Sequence, residues 1–516
     1  MDTTRTSTWK AESEEHSGSS DEVVGLRKLL RAHAKRLGYV AFFLVLTIGA
    51  YRDYVVLFSS PTAVGLDGYY YVLQVDGLRN GGLFFTTPTP VILYFLAFIS
   101  FFLGDTIIAI KVGTIVLEVL LCLGIGGLLI RLTKSWPLGI LGAGYSALAG
   151  LHRFMIGEFV NNLGAISFIV ATIFCLESAR QSTKKRCWFT ASLICFLIAI
   201  GSHRSAAVIF VGIGLGACWG IALRKATRRR NRWVLLALLG LFVLIYFSPY
   251  LALLQPFMHL PDHLMRELSV NPRWPVTRST MFDVVSLVLT APLILGIVIK
   301  KGWNGGTEQF HVLVPGLVFF SITLNLNVFV NPHLISFGTV GRLQTLMYLQ
   351  VALFVPYAIW LLGQTNRLHA AYATAFAVPL LLLSMYADLP PGLRPEYLTY
   401  RERLIQALQS GVPDIPRDSV IVAAHGEQFV ITALTGLSSQ QKLSPTKAES
   451  TYWLLHQLPP SLVKPPVKSL KFQIDGSPSV LIRNEELWQL WPQLSPGVQQ
   501  RMLLWNVTLR QYFRER

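Results

Sequence analysis

The residues with the clearest chemical potential lie in one acidic, aromatic stretch near the start of the chain. It reads Asp67-Gly68-Tyr69-Tyr70-Tyr71 and runs on through Asp76 and Arg79 to Asn80-Gly81-Gly82. Because the stretch directly follows the first strongly apolar run, Asp67 is expected at a membrane surface. A carboxylate at that depth can act as a general base or as a metal ligand in a reaction on a lipid-borne substrate. Asp67 is therefore the first candidate catalytic residue, and Tyr70 and Asp76 are candidate contacts to the substrate.

The composition places this stretch in an integral membrane protein. Hydrophobic residues make up 52% of the 516-residue chain and charged residues only 14%, whereas a soluble domain carries about 25% charged residues. The net charge of +17 does not indicate nucleic-acid binding, because the basic runs sit between apolar spans. Lys and Arg accumulate in the cytoplasmic loops of membrane proteins.

Long apolar runs predict about eleven membrane-spanning helices. The predicted spans are 38–58, 107–130, 136–151, 160–178, 188–202, 205–223, 232–253, 281–299, 310–329, 343–362 and 369–387. The apolar run 90–103 is short for a crossing and suits a juxtamembrane helix in the first outward loop. If it does not cross, the basic clusters all share the side of the N-terminus, which is the cytoplasmic side.

This topology divides the chain into three parts. Residues 1–36 are predicted to be a basic, disordered cytoplasmic segment, 37–387 a transmembrane domain, and 388–516 an extracytoplasmic soluble domain. The soluble domain is predicted to be a small α+β unit. Its predicted strands are 419–424, 429–433, 472–474 and 480–482, and its predicted helices are 396–409, 448–457 and 497–513.

The other outward loops bring further polar residues to the membrane face of Asp67. Glu158, followed by Asn161-Asn162, is the second candidate catalytic acid. Candidate contacts to a phosphate or sugar are His152, Arg153, His203, Arg204 and Arg342, since arginines bind phosphate oxygens well. His259 and His263 have the i, i+4 spacing of two metal ligands on one helix face, but Pro261 lies between them, so no metal site is assigned.

Plainer interpretations exist for these residues. Asp67 can serve as the N-cap of a helix that begins at Gly68. The three tyrosines can form an aromatic belt at the membrane interface, which is the preferred interpretation for them. The outward histidines and arginines can be side chains that anchor the protein at headgroup depth.

The pattern resembles the GT-C superfamily of membrane glycosyltransferases, the clan of protein mannosyltransferases, aminoarabinose transferases and oligosaccharyltransferases. Its members place an Asp in the first outward loop, a juxtamembrane helix beside it, and a second acid in the next outward loop. Asp67 matches the first acid and 87–104 resembles the juxtamembrane helix. Glu158 stands where many relatives have Asp. The resemblance extends by motif over roughly residues 38–230.

The resemblance implies an enzyme that transfers a sugar from a polyprenyl-phosphate donor to a glycan, lipid or protein acceptor. Transfer would be inverting and extracytoplasmic, with Asp67 as base or metal ligand and outward arginines on the phosphate. A divalent metal ion stays open, because some relatives use one and others do not. The expected membrane is the bacterial plasma membrane, although an enzyme of the endoplasmic reticulum would look similar.

Two other functions remain as alternatives. A transporter or flippase of lipid-linked sugars would carry charged or broken segments near the membrane midplane, whereas the charge here gathers at loop ends. A polymerase or ligase of surface polysaccharide would depend on a large late outward loop rather than on an acid in the first.

Overall fold

The computed structural model describes residues 17–81, 90–149, 152–203, 206, 290, 347–364, 366–385, 391–409, 415–424, 426–440, 451–456, 468–474 and 477–505. Its N-terminal part is helical. The helices are α1 Ser17–Leu57, α2 Gly68–Arg79, α3 Val91–Leu103, α4 Thr106–Thr133, α5 Trp136–Leu148, α6 His152–Glu158, α7 Val160–Gln181, α8 Lys185–Ser202, α9 Met347–Gly363 and α10 Arg367–Met385.

Within the described residues, five helices are long and apolar enough to cross a membrane. They are Lys35–Leu57 within α1, α4, α7, α8 and α10, and each coincides with a predicted span. Helices α5 and α9 match two further predicted spans but are shorter. The predicted spans 205–223, 232–253, 281–299 and 310–329 lie outside the described residues, apart from Ala206 and Thr290. The structure thus supports a polytopic helical membrane protein without establishing the number of spans.

The short apolar run has the expected form. Helix α3 has 13 residues and ends at Gly104, whose φ of 73° is left-handed. A helix of that length extends roughly 20 Å, which is less than the hydrocarbon core of about 30 Å. The loop between the first and second spanning helices therefore contains two helices, α2 and α3.

The N-terminal segment differs from its prediction. Helix α1 begins at Ser17, so residues 17–36 are helical although the sequence predicted disorder there. The second half of that segment is rich in Leu, Lys, Arg and Ala, which favour helix, and it extends the apolar span directly.

The described C-terminal residues form a five-stranded mixed sheet with helices. The strands are β1 Val420–Val422, β2 Ser438–Gln440, β3 Thr451–Leu455, β4 Lys468–Ile474 and β5 Ser477–Arg483, in the order β2-β1-β3-β5-β4. Strand β1 pairs in parallel with β2 and β3, and β5 pairs antiparallel with β3 and β4. The helices are α11 Pro395–Gln409, α12 Glu427–Thr435, α13 Asn484–Leu490 and α14 Pro496–Trp505.

Two of the predicted elements in this domain are wrong. The segment 429–433 is part of helix α12 rather than a strand, because Gly426 and Gly436 bracket it and Gly436 closes the helix in a left-handed conformation. The segment 448–457 contains strand β3 rather than a helix. All five residues of β3 are buried, as expected for an aromatic-rich central strand.

Short connections make the membrane helices antiparallel and bring their ends into register. Lys134 donates to Gln181 at 2.9 Å, which joins the end of α4 to the end of α7. At the opposite end, Lys111 near the start of α4 donates to the carbonyl oxygen of Ser60 at 2.6 Å. The first loop and the C-terminal domain both lie at this second end, away from the basic residues Arg131, Lys134, Arg180 and Lys184.

Candidate functional site

A cavity of about 260 Å³ lies where the first loop, the start of α7, the end of α8 and the C-terminal domain meet. It combines polar and aromatic side chains from regions that are far apart in the sequence. Its lining residues are Asp67, Tyr70, Tyr71, Phe159, Asn161, Asn162, His203 and Phe429. The structure thus brings together three of the predicted site residues, Asp67, Tyr70 and His203.

Asp67 occupies the N-cap position of α2, but its side chain makes no capping hydrogen bond. By contrast, Asp105 at the start of α4 accepts a hydrogen bond from the N–H of Ile108 at 2.8 Å. A side chain that only capped its helix would make such a bond. Helix capping therefore does not account for the carboxylate of Asp67, which lines the cavity.

The three tyrosines do not lie where the preferred interpretation, an aromatic belt at the membrane interface, would place them. Tyr69 and Tyr71 are only 5% and 3% exposed and belong to the protein core. Tyr70 lies over the cavity, where its ring meets that of Phe429 edge-on at 5.4 Å. These rings therefore pack inside the protein, because the C-terminal domain covers the face of α2 that the sequence had assigned to lipid.

A glycine contact sets the position of the loop that carries Asp67. Gly65 has a φ of 84°, and a Cβ built on it would lie 1.3 Å from the carbonyl oxygen of Gly157. The Gly65 N–H also donates to the carbonyl oxygen of Gly392 at 3.2 Å. The backbone can approach α6 this closely only because Gly65 has no side chain.

Arg401 of α11 holds the same loop from the side of the C-terminal domain. Its guanidinium donates to the carbonyl oxygens of Ala63 and Gly65 and lies 4.7 Å from the centre of the Tyr397 ring. The residue is 2% exposed. A planar, permanently charged donor suits two adjacent carbonyl groups, so Arg401 fixes the turn that leads into Asp67.

The neighbours of Arg401 on α11 extend this connection in two directions. Glu402 accepts a hydrogen bond from Ser60 Oγ at 2.6 Å, next to the carbonyl group that Lys111 contacts. Tyr400 donates to Glu427 Oε1 of α12. One turn of α11 therefore contacts both the loop before Asp67 and the interior of the C-terminal domain.

Tyr400 belongs to a second polar cluster, which is buried inside the C-terminal domain. His456 Nε2 lies 3.2 Å from Glu427 Oε1 and 3.0 Å from the Tyr400 hydroxyl, and His456 Nδ1 lies 2.8 Å from Ser479 Oγ. The backbone N–H of Ala424 donates to Glu427 Oε2 at 3.2 Å.

The environment of Glu427 favours its ionised form. Burial alone would raise the pKa of its carboxyl group, but His456 and the hydrogen bonds from Tyr400 and Ala424 outweigh burial and lower that pKa. Burial, together with the adjacent carboxylate, raises the pKa of Tyr400 well above its ordinary value. Glu427 is thus a buried carboxylate surrounded by donors.

The other predicted site residues lie outside the cavity lining or outside the described residues. The carboxylate of Asp76 accepts a hydrogen bond from Thr106 Oγ1 at 2.5 Å and so connects α2 to α4. Beside it, Arg79 donates a hydrogen bond to Ser100 Oγ at 2.9 Å. Arg153 donates to the carbonyl oxygen of Met385 at 2.8 Å. The side chains of His152 and Glu158 are not among those described, although the end of α6 abuts Gly65. Arg204, Arg342, His259 and His263 lie outside the described residues.

Four cavity residues received no role from the sequence, namely Phe159, Asn161, Asn162 and Phe429. Phe429 was not identifiable, because it was assigned to a strand of a separate domain. Asn161 and Asn162 were noted in the second outward loop without a function. Their signal was a pair of amides at the start of a membrane helix, where few polar residues are expected. Among the described residues, no three His, Cys, Asp or Glu side chains form a group that could hold a metal ion.

Comparisons with known proteins find similar chains among the solved structures. No protein-family model and no curated protein matches the chain. A solved structure of the archaeal oligosaccharyltransferase AglB from Archaeoglobus fulgidus, in complex with an inhibitory peptide and a dolichol-phosphate, aligns with a TM-score of 0.46 and 12% identity. The alignment covers 79% of this chain and 64% of that one, so the chain spans less than two thirds of that structure.

Proposed function

We propose that this protein is a membrane glycosyltransferase that moves a sugar from a polyprenyl-phosphate carrier to an acceptor, with Asp67 as the general base. The observation that carries the proposal is the position of Asp67. Its carboxylate lines a cavity between the ends of membrane helices and a soluble domain, and it does not cap its own helix. Such a cavity can be reached by a lipid-borne donor on one side and by an acceptor on the other.

The reaction requires one proton acceptor and one stabilised leaving group. An acceptor hydroxyl or amine attacks the anomeric carbon while Asp67 takes its proton. The bond between the anomeric carbon and the phosphate oxygen breaks, and the phosphate leaves with the electron pair, which inverts the anomeric centre. A carboxylate at one end of the cavity and a cation at the other would suit this charge movement.

His203 is the described residue best placed to contact the donor phosphate, since it lines the cavity with Asp67. Glu158 is proposed as a second acid, because α6 ends against the loop of Asp67. His152, Arg153, Arg204 and Arg342 remain proposed phosphate contacts on the strength of the sequence. The proposal allows a divalent ion at Asp67 in place of its role as base.

The proposed orientation puts the cavity on the extracytoplasmic face. The cavity lies at the helix ends opposite Arg131, Lys134, Arg180 and Lys184, and basic residues mark the cytoplasmic side. We therefore place the C-terminal domain outside the cell, in a bacterial plasma membrane.

The test is sugar release from a panel of radiolabelled polyprenyl-phosphate sugars by purified full-length protein. The Asp67→Asn variant is expected to lose at least about 100-fold in turnover, the usual contribution of a general base, without a change in thermal midpoint. Asp105→Asn is the matched control, because it also alters an N-cap acid at this end of the helices and Asn can still cap. Equal turnover by Asp67→Asn and wild type would remove Asp67 from the chemistry. No turnover of any donor by folded wild type would contradict the proposed function.

A further inference from the structure

The start of helix α7 presents two buried amide oxygens to the cavity of Asp67. The Oδ1 atoms of Asn161 and Asn162 are buried and have no hydrogen-bond partner within the part of the chain that the structure describes. Asn162 is only 4% exposed, and both residues line the cavity. Buried carbonyl groups are nearly always hydrogen-bonded in proteins, so two adjacent exceptions in one cavity point to a group that the structure does not contain.

Neither amide oxygen serves the helix that carries it. The residues lie in the first turn of α7, after Phe159 at the N-cap, and no side chain caps that end. Leu or Val would pack at these positions without leaving an acceptor unsatisfied. The pair therefore acts against local stability, which is typical of side chains that are kept for a ligand.

The chemistry of the cavity defines the missing partner. A carbonyl oxygen accepts hydrogen bonds and does not donate them, so an organic partner must carry N–H or O–H groups. An ionised phosphate group carries only acceptor oxygens, so it cannot satisfy the amide oxygens of Asn161 and Asn162, and the Asp67 carboxylate repels it. Tyr70, Phe159 and Phe429 add aromatic rings against which an apolar face can pack.

We propose that Asn161 and Asn162 accept hydrogen bonds from the hydroxyl groups of a sugar bound beside Asp67. A monosaccharide combines O–H donors at its rim with C–H faces that pack on aromatic rings, which matches the amide pair and the ring cluster. The inference rests on the proposed function for the position of the sugar. The hydroxyl groups belong either to the transferred sugar or to a glycan acceptor, and their chemistry is the same.

The first arm of the test measures binding alone. Full-length protein in detergent micelles is titrated with methyl glycosides of mannose, glucose, galactose and arabinose, and with their monodeoxy forms, followed by ligand-observed NMR. For the glycoside that binds best, removing one hydroxyl group is expected to weaken binding about 10–100-fold. Asn162→Leu is expected to weaken binding of the parent glycoside by the same factor and to leave binding of the deoxy form unchanged.

Two variants separate recognition from a structural role. Asn162→Asp keeps an acceptor oxygen and is expected to keep the preference for the parent glycoside. Asn162→Leu is expected to raise the thermal midpoint, because it removes an unsatisfied buried acceptor, whereas loss of a structural side chain would lower it. Asn80→Leu is the control, at the exposed C-cap of α2.

The binding arm can fail independently of the proposed transfer. Absence of binding by every glycoside, or the same preference for the hydroxyl group in Asn162→Leu as in wild type, would overturn the inference even if sugar release were observed. Selective binding without turnover would keep the inference and reject the transferase. In turnover assays, a higher KM for the polyprenyl-phosphate sugar in Asn162→Leu would assign the hydroxyl groups to the donor, and a higher KM for the acceptor would assign them to the acceptor.

Discussion

The cavity around Asp67 and the buried cluster around Glu427 contain similar side chains. Each combines a carboxylate, a histidine and a tyrosine, namely Asp67, His203 and Tyr70 in the first case and Glu427, His456 and Tyr400 in the second. Around Glu427 these groups bond to one another, with Ser479 completing the cluster. Around Asp67 the three residues line a cavity of about 260 Å³, and two amide oxygens in that cavity have no hydrogen-bond partner among the described residues.

The difference indicates which cluster stabilises the fold and which serves a ligand. A fully satisfied polar cluster contributes to a single rigid arrangement, because each group would lose a partner if the others moved. Unsatisfied amide oxygens beside a cavity gain partners only when something binds. Changes at Glu427 should therefore appear in stability, and changes around Asp67 should appear in binding and turnover.

The largest effect is expected from Gly65→Ala, which should displace Asp67 and so disrupt the cavity. Gly65→Ala would place a methyl group 1.3 Å from the Gly157 carbonyl oxygen, so the loop that carries Asp67 must move. We expect a loss of about 2–5 kcal/mol in stability from strain and overlap together, with loss of turnover. Thermal unfolding and sugar-release assays measure the two effects.

Gly81→Ala is the matched control for Gly65→Ala. Gly81 has a similar φ of 88°, and a methyl group added there would meet no other atom of the described residues within 4 Å. Only backbone strain of about 1–2 kcal/mol is therefore expected. If the two variants behaved alike, the contact with Gly157 would not position the loop.

An intermediate effect is expected from Glu427→Gln, which tests the closed cluster. Replacing the ionised acceptor weakens the bonds to Tyr400 and His456, and we expect a loss of about 2 kcal/mol at neutral pH. Turnover of the folded protein should stay near that of wild type. If Glu427→Gln were as stable as wild type but lost turnover, the cluster around Glu427 would be part of the catalytic machinery.

The same variant tests a dependence on pH. Because the pKa of Glu427 is lowered from 4.5 in the folded protein, its contribution to stability is complete above that value and is lost as the pH falls through the folded pKa. The free energy of unfolding should therefore be measured between neutral and acidic pH. The difference between wild type and Glu427→Gln is expected to shrink below pH 4.5. A constant difference at all pH values would contradict the lowered pKa.

The smallest effect is expected at Phe429, which the C-terminal domain supplies to the described lining of the cavity. Phe429→Leu removes the edge-on contact with Tyr70 and should cost about 1 kcal/mol in stability, with turnover lowered by about tenfold. Phe98→Leu is the control, because Phe98 makes a similar edge-on contact with Phe102 at 4.9 Å on the exposed face of α3. Equal turnover by the two variants would exclude Phe429 from the substrate site.

The membrane helices were predictable because their signal is local. A continuous apolar run bounded by charge defines a span whatever the rest of the chain does, and the runs that became α4, α7, α8 and α10 lie within a few residues of their predicted bounds. The C-terminal domain was harder. The β-branched run in α12 has strand propensity that the bracketing glycines override, and the polar strand β2 carries no strand signal.

The candidate site was predictable only in part, because it depends on contacts between distant segments. Asp67, Tyr70 and His203 were found from their position at outward loop ends. Phe429 and Arg401 were not, since nothing in a local pattern shows that α11 and α12 pack on the first loop. The role of Asn162 depends on a missing hydrogen bond, which no sequence contains.

The hydrogen bond from Arg401 to Ala63 joins residues 338 positions apart. A ribosome makes the chain from its N-terminus, and the first helices insert long before Arg401 exists. The turn into Asp67 therefore lacks its clamp until most of the protein, helix α10 included, has been synthesised. Chains that stop early would carry every membrane residue of the cavity and still lack a formed site, so premature products would be inactive.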